Sequence, residues 1–323
     1  MASPISSISV STPYLLSNWL ISKKSDVFWV FGGAIISYGI LAAFFAGLPI
    51  LPISFAMLLA LEGPHVFATA TRSYLDSEER KRFGWFLWLV VPLTLLGPVF
   101  VWLGAAQLFF IFAFCWLHIH IAKQHVGFVM LYKRKAGEYE DIKLDKYFLL
   151  ASLTLPALLF FARPYLGNAI VNGISILYLF IPVLYAARQL RKQQIVLPKI
   201  YLMLLVVPLQ WLAFWYASYS GYGIKAAGIL IALGHALQYH KLTWLYHKTE
   251  EAETGQKKLW YSLGGYIFVI LTLNFVFNVL PRGVAESDYA FAAMWGLSFQ
   301  HYLLDGKLWK TKDFPIFRKA LGI

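Results

Sequence analysis

One cysteine, Cys115, is present in 323 residues. That excludes an intramolecular disulfide and any metal site assembled from thiolates. Charge is scarce too: Asp, Glu, Lys and Arg make up 14% of the chain, against 59% hydrophobic and 18% aromatic residues, with a mean hydropathy of +0.61. Soluble domains carry about 25% charged residues, so the composition reads as an integral membrane protein. Acid is the scarcer sign, 16 residues against 28 basic, giving a formal net charge of +12. A basic excess can mark nucleic-acid binding. In a polytopic protein it belongs instead to cytoplasmic loops, and no nucleic-acid partner is expected. The Ser-rich first 22 residues lack a basic stretch ahead of an apolar core, so no cleavable signal peptide is expected. No interval between apolar runs is long enough for a soluble lobe. Residues 1–323 therefore read as one membrane domain, with 1–25 an N-terminal cytoplasmic segment and 306–323 a cytoplasmic tail.

What the chain does have is apolar runs of roughly 20 residues, the length a helix needs to cross a bilayer. They predict an all-α bundle of about ten transmembrane helices, over 27–48, 51–73, 84–103, 105–131, 147–162, 168–187, 199–218, 223–246, 259–280 and 286–305. Pro156, Pro182 and Pro208 are expected to interrupt the fifth, sixth and seventh. Basic residues gather on alternate loops: Lys23 and Lys24, Arg72 to Arg82, Lys133 to Lys146, Arg188 to Lys199, Lys248 to Lys258, and Lys307 to Lys319. The opposite loops hold only Arg163, Lys225 and Arg282, while Lys123 and Lys241 fall within spans. By the positive-inside rule both termini face the cytoplasm, and the bacterial cytoplasmic membrane is the expected location.

Seven of the eight histidines occupy four of these spans, all running toward the cytoplasm: His65 in the second, His118, His120 and His125 in the fourth, His235 and His240 in the eighth, His301 in the tenth. At 1.5 Å per residue they lie roughly 9–17 Å inside the basic ends of their helices. Ionisable groups inside apolar spans usually mark function, and imidazoles from several helices at one depth are what a buried metal site needs. On the fourth span His118 and His125 share a face, which predicts them as ligands. His120 points about 160° away and is expected outward or supporting. On the eighth, His235 and His240 diverge by about 140°, so both reach one site only if the helix bends, for which Gly234 is a candidate, or packs between two neighbours. His247 sits at the membrane boundary and is expected to be solvated.

Three acid or phenol groups accompany the imidazoles. Asp305 follows His301 by one turn, a spacing that lets it ligate beside the ring or hold its second nitrogen. Glu62 precedes His65 across Gly63 and Pro64 and could bridge a metal, relay protons or pair with Arg72. Tyr239 faces the same way as His235. Gln124 and Gln238, each seven residues before a Leu-Tyr pair, form a faint internal echo, and Gln124 and Tyr239 are candidates to orient ligands. The candidate metal ligands are thus His65, His118, His120, His125, His235, His240 and His301, with Glu62, Asp305 and Tyr239 as catalytic groups. Nitrogen and oxygen donors without sulfur suit iron, and equally copper, zinc or manganese.

This design resembles the histidine-rich integral-membrane non-haem iron oxygenases, the desaturases, hydroxylases and membrane carotene dioxygenases. The likeness rests on the histidine-bearing ends of four spans. The His-x-x-His-His boxes of the desaturases and the Asp-His pair of the dioxygenases are absent here. The resemblance implies one or two iron ions, a lipid or other hydrophobic substrate, an electron-donor protein and oxidation at a site near the cytoplasmic face. Two other classes use the same histidines: a haem- or quinone-binding electron-transfer protein, and a metal- or proton-coupled transporter.

Overall fold

The computed structural model describes residues 14–192, 194–280, 288–309 and 315–323. Arg282, Lys310, Lys312, positions 286–287 of the expected tenth span and residues 1–13 of the Ser-rich beginning lie outside the described residues. The described chain is helical apart from one short parallel pair, β1 (Tyr14–Leu16) with β2 (Gln194–Val196), in register Leu15 to Ile195. Helices α1 (Lys23–Phe45), α2 (Ile50–Thr71), α3 (Ser77–Phe83), α4 (Trp85–Trp102) and α5 (Ala106–Ala136) come first. After them come α6 (Ile142–Tyr178), α7 (Phe180–Leu190), α8 (Leu197–Tyr219), α9 (Ile224–Thr254), α10 (Leu263–Val279), α11 (Asp288–Leu308) and α12 (Pro315–Leu321).

Among the described residues six segments are long and apolar enough to cross a membrane: α1, α2, α4, α5, the continuous run Ile142–Leu190, and α8. The difference from ten has physical causes. The 49-residue run contains the fifth and sixth expected spans. They are divided at Gly167, whose φ of +77° is open to glycine at little cost, and not at the prolines. Pro156 lies in the stretch before that break and Pro208 within α8, both helical throughout, whereas the run turns at Leu179, three residues before Pro182. One turn before Leu209, the Tyr38 hydroxyl adds a bond to the Leu205 carbonyl at 2.9 Å, tying α1 to the proline-bearing turn of α8.

Helix α9 is long but not apolar enough to count among the six, and its position explains why. Every residue from Leu230 to His240 is buried, so this helix is surrounded by protein on all sides. A helix screened from lipid can carry His, Gln, Tyr and Thr without exposing them. Helix α1 lies against it so closely that a Cβ on Gly33 would meet the Gly234 Cα at 2.4 Å. Gly234 is therefore a contact surface, and α9 is helical straight through it. The outer helices instead expose large apolar side chains, among them Trp85, Trp88, Trp102, Leu177 and Leu184.

The beginning of α1 is fixed by a buried carboxylate: Asp26 accepts from the Leu20 and Ile21 amides at 2.7 and 3.1 Å and from the Tyr132 hydroxyl at 2.9 Å. Two lysines assigned to loop charge, Lys133 and Lys199, are buried as well. Their ammonium groups lie 2.9 and 2.8 Å from Glu138, and both also pair with Asp145. Burial pushes the Glu138 carboxyl up, but hydrogen bonds from Lys192, Lys199 and Lys133 outweigh it and hold the group at about 2. This network ties the α5–α6 loop to α7 and α8.

Candidate metal centre

Helix α2 builds one wall. Pro64 has no amide hydrogen, and the preceding turn, Leu58–Glu62, is widened to i→i+5 spacing. The carbonyl this leaves without an amide donor is answered from α10: the Asn274 side chain donates to Leu58 O and Leu59 O, both at 3.3 Å. Gly63 permits that approach, since a Cβ there would lie 2.1 Å from Asn274 Oδ1. The kink presents His65, fully buried, with its Nδ1 2.6 Å from the Glu62 carbonyl.

A carbonyl only accepts, so His65 Nδ1 carries the proton and Nε2 of the neutral ring is a bare lone pair. That lone pair faces two other imidazoles. His235 Nε2 on α9 lies 3.0 Å away and His301 Nε2 on α11 lies 3.1 Å away. One lone pair accepts one proton, so at most one of the two neighbours can donate to it. The other contact sets nitrogen against nitrogen with no hydrogen between. A cation accepting all three lone pairs removes the conflict. Nitrogens at cis positions of an octahedral ion with bonds of about 2.1 Å stand roughly 3.0 Å apart.

Asp305 extends the set. Its Oδ2 lies 3.5 Å from His301 Nε2 and 3.7 Å from His120 Nε2. The groups His65–His235–His301 and His120–His301–Asp305 each bring their ligand atoms within 4.8 Å of one another, sharing His301. Asp305 is thus on the ligating side of the His301 ring. The other side, Nδ1, is held at 2.6 Å by Thr69 Oγ1. Thr69 also lies 2.5 Å from the Tyr239 hydroxyl, which donates to Asp305 Oδ1 at 2.8 Å. One threonine therefore links the supporting side of a histidine, a tyrosine and a carboxylate.

The expected facing of α5 is reversed. His120 turns inward, its ring 4.8 Å from that of His235 and its Nε2 buried without a hydrogen-bond partner. His118 points to α6 and α8, where Nε2 meets Leu153 O at 2.9 Å and Nδ1 meets the Gln210 amide at 3.2 Å. Both its nitrogens are in use. The two rings do diverge as the helical period requires; which face meets α9 and α11 is decided by packing. His125 is buried but belongs to neither donor group. His240 contacts Tyr266 OH at 3.1 Å and Leu61 O at 3.2 Å, so both of its nitrogens are also occupied. His247 is not solvated: it is fully buried, with Nε2 2.8 Å from Thr71 Oγ1.

Glu62 Oε2 is buried without a hydrogen bond, 3.6 Å from His65 Nδ1. It is not a partner for Arg72, whose guanidinium lies over the Tyr246 and Trp309 rings. Gln124 donates to the His235 carbonyl at 3.0 Å and to Gln238 at 2.9 Å, so the two echoed glutamines join α5 to α9 behind the cluster.

Two cavities flank the centre. One, of about 530 Å³, is lined by Glu62, Leu117, Lys225, Ala232 and Ser298, and reaches the outer surface at Leu51 and Phe55. The other, of about 750 Å³, is lined by His120, Lys123, Tyr239, Asp305 and Trp309. Tyr302 lines both. Comparison with protein families, curated proteins and solved structures finds no match at any of the three levels.

Proposed function

We propose that this chain is a membrane-embedded, metal-dependent oxidoreductase acting on a lipid or other hydrophobic substrate, with iron as the metal. The observation that carries the reading is the bare His65 Nε2 facing two further imidazole nitrogens at 3.0 and 3.1 Å. His65, His235 and His301 would hold the ion, and Asp305 and His120 would complete or bridge the set. Nitrogen donors with one carboxylate and no sulfur are the donor type of oxygen-activating non-haem iron sites. When bound, the ion would supply one-electron and oxygen chemistry at a position open to the apolar cavity.

The chain's own residues perform the rest. Glu62 O and Thr69 fix the His65 and His301 rings. Tyr239 and Thr69 hold Asp305 and offer a hydroxyl chain for a proton. The apolar walls exclude water. Hydroxylation by this route consumes dioxygen, two electrons and two protons, puts one oxygen into the product and releases the other as water, so an electron-donor protein is part of the proposal. The crowding of four imidazoles within a few ångströms supports a bare ion over a haem, which needs a planar gap between two rings. The basic loops support ten spans with both termini cytoplasmic in a bacterial inner membrane, with α9 and α11 crossing despite their polarity because protein shields them.

Metal analysis of detergent-purified protein tests this. Iron near one or two equivalents is expected in the wild type, with loss in His65→Ala and His301→Ala and retention in His118→Ala, all at unchanged helical content. Absence of metal from the wild type, or equal loading of His301→Ala, overturns it.

A further inference from the structure

The 750 Å³ cavity contains a cation that neither the fold nor the metal centre uses. Lys123 lies on α5 one turn beyond His120, exposed to the cavity. It is ten residues, roughly 15 Å, inside Lys133 at the basic end of the helix, farther than a lysine side chain extends. It makes no ion pair or hydrogen bond among the described residues. A charge at this depth calls for a counter-charge. The wall around it is mainly apolar, with Trp116, Phe128, Leu131, Leu242 and Phe317; Arg134 lines the cavity nearer the basic end of α5, and Asp305 lines it without pairing with Lys123. Gly127 and Gly306 face it, and a Cβ on either would meet nothing within 4 Å, so the space is a groove and not a packing seam.

We infer that this groove binds a single-chain amphiphile ending in an anionic group, a free long-chain carboxylic acid, with the carboxylate on Lys123. The inference deepens the oxidoreductase reading by naming its substrate class, and depends on that reading only for the oxidation of the bound acid. A carboxylate on Lys123 places the carbons nearest the headgroup about one helical turn from His120, whose Nε2 lies 3.7 Å from Asp305. The volume is that of a single small ligand and is small for a two-chain phospholipid. A cation in apolar surroundings also favours an acid over its ester, because only the acid supplies the missing charge.

Quenching of tryptophan fluorescence by brominated lipids tests this directly, since Trp116 and Trp309 line the groove. Purified protein in detergent, stripped of metal, is titrated with dibromostearic acid, its methyl ester and a brominated phosphatidylglycerol. Saturable quenching by the acid is expected, with a Kd raised roughly tenfold in Lys123→Met and kept in Lys123→Arg, and unaffected by inorganic phosphate. The signal is expected to fall in Trp116→Phe and Trp309→Phe. Ester or phospholipid binding as tight as the acid, an unchanged Kd in Lys123→Met, or equal loss in Lys123→Arg overturns the inference. Because the metal is removed throughout, failure here leaves the metal-analysis result standing, and failure there leaves this binding intact.

Discussion

At the scale of the residue, the centre depends on which ring nitrogen is left bare. His65 and His301 present Nε2 inward because a carbonyl and a hydroxyl hold their Nδ1 atoms. Thr69 is the least conspicuous of these supports. It comes one turn after His65, a signal no sharper than that of any helical threonine, and its importance appears only once α2, α9 and α11 meet. Partners behind a ligating histidine typically contribute a factor of 10–100 in metal affinity. Thr69→Val is expected to lose metal at roughly 10–100-fold lower chelator concentration than wild type, with Thr69→Ser close to wild type. Equal chelator resistance in Thr69→Val would show that the hydroxyl does not support the site. His118 teaches the converse lesson. Helical periodicity separated it from His120, but period alone does not say which of two opposite faces meets α9 and α11 and which meets α6 and α8.

At the scale of the element, the Gly63–Pro64 pair in α2 does what a regular helix would not. Proline removes one amide, the turn widens, and Asn274 of α10 donates to Leu59 O, which the proline leaves without an amide, and to Leu58 O, which also accepts from the Gly63 amide. A methyl group at position 63 would lie 2.1 Å from Asn274 Oδ1 and 2.5 Å from Leu58 O. The second of these is backbone and cannot swing aside. Gly63→Ala is therefore expected to destabilise the protein by several kcal/mol, lowering the thermal unfolding midpoint in detergent. Removing the side-chain obstacle in Gly63→Ala/Asn274→Ala is expected to give no rescue, because the Leu58 carbonyl remains. A wild-type midpoint in the single variant would mean the helix is not held in this wide form. The sequence marked the kink by its proline; the asparagine that makes the kink tolerable is more than 200 residues away in the chain.

At the scale of the whole molecule, lipid-facing helices are legible from hydropathy because lipid sees them. The central α9, expected over 223–246, is a helix over Ile224–Thr254 but falls short of the six in apolarity, because protein and not lipid surrounds it. The proposed ten-span arrangement would put Tyr139 and Tyr222, both exposed, on opposite sides of the membrane. With Cys115→Ala removing the native thiol, Tyr139→Cys is expected to label with impermeant maleimide only from the cytoplasmic side and Tyr222→Cys only from the other. Labelling of both from one side would remove the orientation argument. Composition and apolar run length determined by themselves that this is a helical membrane protein, since a bilayer core imposes both on any chain that crosses it. The histidines' positions along their helices were legible too, because helical rise converts residue number into distance. Their convergence was not. Whether His120 or His118 turns inward, which nitrogen stays bare, and that Thr69 joins Tyr239 to Asp305 were decided only when helices distant in sequence packed together, because rotation of a helix about its axis is fixed by its neighbours.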